Sequence, residues 1–140
     1  MAITATIYDH AYLSLGLGRF DFTSQPLKLA LCTSAYTPNY LDHEFYSDLT
    51  GQVVASGYTA GGNSLSGVTW TVVAGRSVLT ASPVTWGSAT FTCRYAVLYR
   101  ADPAPTAAPL LLAIDFGVNV SANGTPFPIS FLNGLFALSN

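Results

Sequence analysis

Charge is what this sequence has least of. Of its 140 residues, 9% are Asp, Glu, Lys or Arg, where an ordinary soluble domain carries about 25%. So few ionised side chains cannot cover the exterior. Ser, Thr, Asn, Gly and apolar atoms must face outward instead, and such a surface invites contact with other proteins. The five basic residues, Arg19, Lys28, Arg76, Arg94 and Arg100, are scattered, and the formal net charge is −2. No cluster of them could neutralise consecutive phosphates, which argues against direct nucleic-acid binding.

Long hydrophobic runs are missing as well. Half of the residues are hydrophobic, yet the longest apolar stretch, Ala107 to Ile114, contains Pro109 and stops at Asp115. A membrane-spanning helix needs roughly 20 such residues, so no membrane partner is expected. The stretch Met1 to Tyr12 has neither the basic segment nor the apolar core of a secretory signal, and synthesis in a cytoplasm is the expectation. Cysteine is confined to Cys32 and Cys93. Both lie in apolar, strand-like runs, and buried reduced thiols are the reading that a reducing compartment favours. A disulfide is the alternative. Two thiols without paired histidines make a poor metal site.

Signatures of catalysis are lacking too. There is no Gly-x-Ser-x-Gly elbow for a serine nucleophile. The glycine-rich Gly61 to Gly67 has no Lys-Ser/Thr pair to close a phosphate loop. None of the seven acids sits in a glycosidase-like pairing. His10 and His43 have acidic neighbours (Asp9, Asp42 and Glu44) and read as solvated loop charges. Asp115, inside an apolar run, must be partnered or face outward, and a hydrogen bond to backbone or Arg is expected. The expectation is a protein without catalytic residues, cofactor or metal.

What the sequence does contain is β patterning. Tyr8 to Leu17 reads as one short helix, with Tyr8, Ala11, Tyr12 and Leu15 as its apolar stripe and Gly16 and Gly18 as its stop. Thereafter alternation dominates. Arg19 to Thr23 reads as a strand with Phe20 and Phe22 on one face, and Leu27 to Cys32 as a strand with one apolar face. Val68 to Val73 and Ser77 to Ala81 form a hairpin around Ala74-Gly75-Arg76. Pro83 to Trp86 and Ala89 to Arg100 follow. In the latter, Phe91, Cys93, Tyr95, Val97 and Tyr99 share one face. Asp102 to Pro109 is a spacer, Leu110 to Phe116 a buried strand, and Ser121 to Gly124 a turn. Phe127 to Leu138, broken near Asn133-Gly134, closes the sheet. The expected fold is mainly β: a single domain over residues 1–140, an antiparallel sandwich or barrel with one short N-terminal helix.

Between Ser34 and Asn63 lies a long irregular excursion, with a possible helical turn at Glu44 to Leu49. Such stretches in a compact domain tend to be functional. This one carries Tyr36, Tyr40, Phe45, Tyr46 and Tyr58. Left exposed on a free monomer, these aromatics would form a patch, and interfaces favour such side chains. They are the expected protein–protein contact residues. Trp70, Trp86, Tyr58, Tyr95 and Tyr99 could instead build a sugar platform, although core packing is the commoner use of aromatics.

Several segments are familiar in their order. After the short helix come Leu27-Lys-Leu-Ala-Leu-Cys-Thr-Ser-Ala-Tyr-Thr-Pro38, Phe45-Tyr-Ser-Asp48, Gly57-Tyr-Thr-Ala-Gly-Gly62, Val84-Thr-Trp86, Arg94-Tyr-Ala-Val-Leu-Tyr99 and Ile114-Asp-Phe-Gly117. Together they resemble a family of small virion structural proteins of tailed bacteriophages. The resemblance implies a structural part of the particle and transfers no active-site residue. It leads to the expectation of a capsid decoration (cement) protein, a homo-oligomer and specifically a trimer, bound to the major capsid protein in the virion. A tail ring or fibre-tip component and a lectin-like carbohydrate-binding module are the alternatives.

Overall fold

The two longest apolar stretches pair with each other and form the spine of the molecule. The computed structural model describes residues 4–130 and 136–139. In it, β6 (Val84–Arg100) and β7 (Leu110–Ile129) run antiparallel along most of their length. The strand β1 (Thr4–Ile7) lies on the outer edge of β7, from Thr4 opposite Asp115 to Ile7 opposite Leu112. On the other side of β6 lies β2 (Leu27–Cys32), followed by the two-residue β3 (Asn63–Ser64). The five-stranded order is therefore β1-β7-β6-β2-β3, and a second sheet, β4 (Thr69–Val73), β5 (Arg76–Thr80) and β8 (Phe136–Ser139), has order β4-β5-β8. The chain is mainly β and antiparallel, as its patterning predicts. Among the described residues neither sheet closes into a barrel.

The buried residues form one cluster that draws on β2, β6 and β7, on Leu79 of β5, and on Tyr8, Ala11, Phe22, Tyr36 and Val53 outside the strands. β2 is flanked by strands on both edges and buried on both faces, with Lys28 its only partly exposed member. The single apolar face expected from its alternation is thus corrected. Ala30 and Cys32 are as buried as the leucines, and the excursion bonds along the edge of the strand at Cys32 and Gln52.

Further corrections have two causes: side chains hydrogen-bonding their own backbone, and glycine taking an extra residue into a ladder. Arg19 to Thr23 is a turn rather than a strand. The Asp21 carboxylate accepts bonds from the Thr23 N–H at 3.1 Å and the Ser24 hydroxyl at 2.6 Å, an Asx turn that competes with extended pairing. Phe22 is nevertheless buried, its ring 4.9 Å from that of Trp70, which packs this turn against the second sheet. Ser121 to Gly124 is not a turn. It continues β7, and Gly124 at φ 67° absorbs one residue of register shift opposite Ala89 and Thr90. A larger bulge lies between Asp115 and Val120, where Gly117 has φ 80° and β6 advances only from Tyr95 to Cys93. Pro83 to Trp86 and Ala89 to Arg100 are one strand with an irregularity between Trp86 and Ala89. Phe127 to Ile129 ends β7. The break expected near Asn133-Gly134 lies outside the described residues, and Phe136–Ser139 joins β5 in the second sheet. The hairpin between β4 and β5 turns on Ala74 and Gly75, both at positive φ (51° and 78°). That combination suits a type I′ turn.

The helix α1 (Asp9–Gly16) forms where expected, and Gly18 follows it at φ 72°. Its inward side is Tyr8, Ala11 and Ser14, with Leu15 packed partly buried against the core as expected, and Tyr12 is not part of it. Ser14 is tolerated inside because Arg19 Nη1 donates to its hydroxyl at 3.2 Å. Tyr12, Leu13 and Leu17 are left facing outward.

Candidate functional site

The excursion from Ser34 to Asn63 is sewn to the body at many points. The Thr33 N–H donates to the Gly51 carbonyl at 2.8 Å and the Val53 N–H to Leu31 at 3.0 Å, which lays residues 51–53 along β2. The Tyr46 N–H donates to Ala108 at 2.8 Å and the Leu110 N–H to Glu44 at 2.9 Å, tying the middle of the excursion to the start of β7. The helical turn expected at Glu44 to Leu49 is a short 3-10 turn, Tyr46–Asp48.

These ties decide where the five aromatic contact candidates go. Tyr36 is buried in the core at 1% exposure, and Tyr40, Phe45, Tyr46 and Tyr58 are half-buried. The exposed patch expected of them on a free monomer is not there. Gln52 holds two of them: its Nε2 donates to the Tyr46 hydroxyl at 2.8 Å, and its Oε1 accepts from the Tyr58 hydroxyl at 3.1 Å and the Gly61 N–H at 2.7 Å. The Tyr58 hydroxyl also accepts the Leu31 N–H at 3.0 Å. Phe45 lies under the Arg19 guanidinium, 5.3 Å from its ring centre. Burial raises the ionisation range of Tyr36, Tyr40, Tyr46 and Tyr58, so all four hydroxyls stay neutral near pH 7. Of the possible sugar-platform residues, Trp86 and Tyr99 are core residues, and the Tyr99 hydroxyl donates to the Gly61 carbonyl at 2.6 Å.

The histidines are a second correction, since neither is a solvated loop charge. His43 stacks on Tyr36 with ring centres 5.6 Å apart. Its Nδ1 lies 2.9 Å from the Tyr36 hydroxyl and 3.3 Å from the Asn39 N–H. A backbone N–H can only donate, so Nδ1 accepts, and the Tyr36 hydroxyl donates to it. The Tyr8 hydroxyl, 2.7 Å from that of Tyr36, is then the donor to Tyr36. A directed chain runs from Tyr8 in the core through Tyr36 to His43. His10, on α1, places Nδ1 3.4 Å from Glu44 Oε2, while Arg19 Nη1 donates to Glu44 Oε1 at 2.6 Å. Asp48 accepts the N–H groups of Glu44 at 2.8 Å and Phe45 at 2.9 Å. Burial alone would raise its pKa, but those two bonds, helped by His43 and His10, hold it below the ordinary carboxylate range.

Residues 39–43 form a tight turn hung on Asn39. Its carbonyl accepts the His43 N–H at 2.9 Å, its side-chain oxygen accepts the Leu41 N–H at 3.2 Å, and its amide donates to Asp42 at 3.0 Å. The carbonyl of Tyr40 receives the Asp9 N–H at 2.8 Å, which satisfies a free donor in the first turn of α1. The turn presents Leu41, 69% exposed, beside Leu13 (49%) of the helix, and Tyr12 (52%) and Leu17 (57%) are exposed on and just after the same helix. A shallow surface pocket between them is lined by Asp9, His10, Leu13 and Leu41. Periodicity alone missed this surface by assigning Tyr12 inward.

Comparison with known proteins gives no relative to lean on. No family model, curated protein or solved structure matches this chain. Whatever is inferred of its role rests on the residues themselves. Among the described residues no group of three or more His, Cys, Asp or Glu side chains is placed to hold a metal ion, and no helix is long and apolar enough to cross a membrane. Cys32 and Cys93 are free, buried thiols, and burial pushes each up to about 12. Asp115 accepts a bond from Arg94 Nε at 2.8 Å and another from the Gly117 N–H at 2.8 Å. These bonds, led by that from Arg94, hold its pKa low. The geometry is that of a structural ion pair.

Proposed function

We propose that the chain is a structural protein of a tailed-bacteriophage virion, a capsid decoration protein that sits as a homotrimer on the outer surface of the major capsid shell. The observation that carries this reading is the outward apolar face of α1 and the Asn39 turn, on a chain with 9% charged residues. Leu13 and Leu41 exposed side by side, with Tyr12 and Leu17 exposed on and just after the same helix and few charges to keep a monomer soluble, favour burial against another protein surface. The segments that resemble phage virion proteins supply the rest of the support. Several of them form β2, the buried part of β6 and the adjoining part of β7.

The test is attachment to particles. Purified protein is added to particles that lack it, and bound copies are counted. Hundreds of copies per particle are expected of a decoration protein. A few or a few dozen would place it in the tail, and binding to a glycan array without particle binding would make it a lectin. Changing Leu13 and Leu41 together to Ser removes exposed apolar area at little cost to the fold, since exposed substitutions usually change stability by within about 0.5 kcal/mol. That variant is expected to keep its circular dichroism and trimeric mass and to bind particles several-fold more weakly. Full occupancy by the variant would rule out this face.

A further inference from the structure

We propose that His43 is a proton-operated latch on the Asn39–His43 turn, one that holds the turn closed when the imidazole is neutral and releases it when protonated. The argument is an accounting of donors. With His43 neutral, its Nδ1 accepts from the Asn39 N–H and from the Tyr36 hydroxyl, and Tyr36 accepts from Tyr8. Every donor in the chain has an acceptor. A proton on Nδ1 turns that atom into a donor. The Asn39 N–H then faces a donor and loses its bond. The Tyr36 oxygen can accept from His43, but one hydroxyl hydrogen is then left over: its own if it goes on accepting from Tyr8, or that of Tyr8 if Tyr36 turns inward. Among the described residues neither hydroxyl has another hydrogen-bond acceptor, and both residues are buried. Leaving a buried donor unmade is expensive, so protonation favours breaking the contact over reversing the chain.

The surroundings of His43 set which way the balance leans. The rings of Tyr36 and Tyr8 lie on it, 5.6 and 6.4 Å away between centres, and neither is charged near pH 7. The carboxylate of Asp48, in the 3-10 turn, is the acidic group whose ionised form His43 favours. The neighbouring Asp42 is engaged by the Asn39 amide, and Glu44 by Arg19 and His10. His10, when protonated, tightens its pair with Glu44 and so works against release. The turn is joined to α1 through the bond from Asp9 N–H to the Tyr40 carbonyl. Opening it therefore loosens the start of the helix and shifts Leu41, the most exposed member of the apolar face. That consequence for attachment rests on the function proposed above; the latch itself does not.

Amide hydrogen exchange on the purified protein, corrected for the pH dependence of the intrinsic chemical rate, tests the latch without particles. Histidines titrate between about pH 5 and 8, so exchange is followed from about pH 7.5 down to 5. Opening of the amides from Asn39 to His43 is expected to rise roughly tenfold, the equivalent of one hydrogen bond, while amides in β2 and β6 stay protected. His43→Gln can still accept from Asn39 but does not titrate, and it is expected to abolish the rise. His10→Gln is expected to leave it in place. Unchanged protection across the range in the wild type, or a pH response that survives in His43→Gln, would overturn the proposal. So would a response lost only in His10→Gln. Particle binding that weakens at acid pH in the wild type and not in His43→Gln would extend the latch to attachment. If particles are not bound at any pH, the functional reading fails while the exchange result still stands.

Discussion

Cys32 and Cys93 show how burial alone can silence a reactive group. Only the thiolate is nucleophilic, and thiols pushed to about 12 by desolvation carry almost none at pH 8. Alkylation of the native protein at that pH is expected to add nothing within an hour, and alkylation after denaturation two adducts, read as intact mass. A native mass two daltons low, restored by reduction, would mean the thiols had paired. Two carboxylates behave in the opposite sense. Asp115 and Asp48 are held below the ordinary carboxylate range in the folded chain, so their contribution to stability is complete above the unfolded value of about 4. It is lost as pH falls through their lower folded values. Thermal melts are expected to fall steeply below about pH 4, with Asp115→Asn and Asp48→Asn each flattening part of that slope. A double variant as acid-sensitive as the wild type would disprove the assignment. The need of Asp115 for a partner was legible, because no carboxylate sits in so apolar a run unaided. The role of His43 was not, because its partners Tyr8 and Tyr36 lie 35 and 7 positions away and no local pattern joins them.

Among the elements, alternation identified β2, the β4–β5 hairpin and the core of β6, where side chains settle the pairing. It failed where backbone geometry settles it. The Asx turn at Asp21 passes for a strand because Phe20 and Phe22 alternate correctly. Asn123-Gly124 passes for a hairpin because a glycine of positive φ serves a bulge as well as a turn. The outer edge of β7 beyond β1 shows what those bulges do. From Phe116 onward the chain has no charged residue to ward off a stray strand, and the glycine bulges with Pro126 and Pro128 take that part instead. Two glycines stand at opposite extremes, one constrained in both conformation and space and the other in neither. At Gly62, φ is +79° and an added Cβ would run into the Leu29 carbonyl oxygen. Gly62→Ala is expected to cost about 2–4 kcal/mol and lower the melting temperature by roughly 10 °C. Gly16 ends α1 with nothing near an added Cβ. There Gly16→Ala is expected to be neutral or to stabilise by up to about 1 kcal/mol. Equal melting temperatures for the two variants would refute this view of the β2–β3 contact.

For the whole molecule, composition foretold a chain short of charge whose outward face is partly apolar, and the apolar face is there. The five aromatics of the excursion are largely spent in closing the core over β2, while exposed large apolar side chains lie on α1 (Tyr12, Leu13), just past it (Leu17), on the excursion itself (Leu41, Val54) and on β4 and β7 (Val72, Val73, Val118). Composition counts residues, and only packing says which of them are spent inside. The order of the strands carries one more consequence, for the moment of synthesis. Thr4 pairs with Asp115, 111 positions further along, and the Tyr8 N–H donates to Leu111. β1 is synthesised well before β7, the strand beside which it has its place. Until β7 emerges, β1 and the inward side of α1 have no surface to settle on, so the native fold forms only once most of the chain is free. Stalled nascent chains ending before residue 110 are expected to leave Tyr8 open to a protease that the released protein resists.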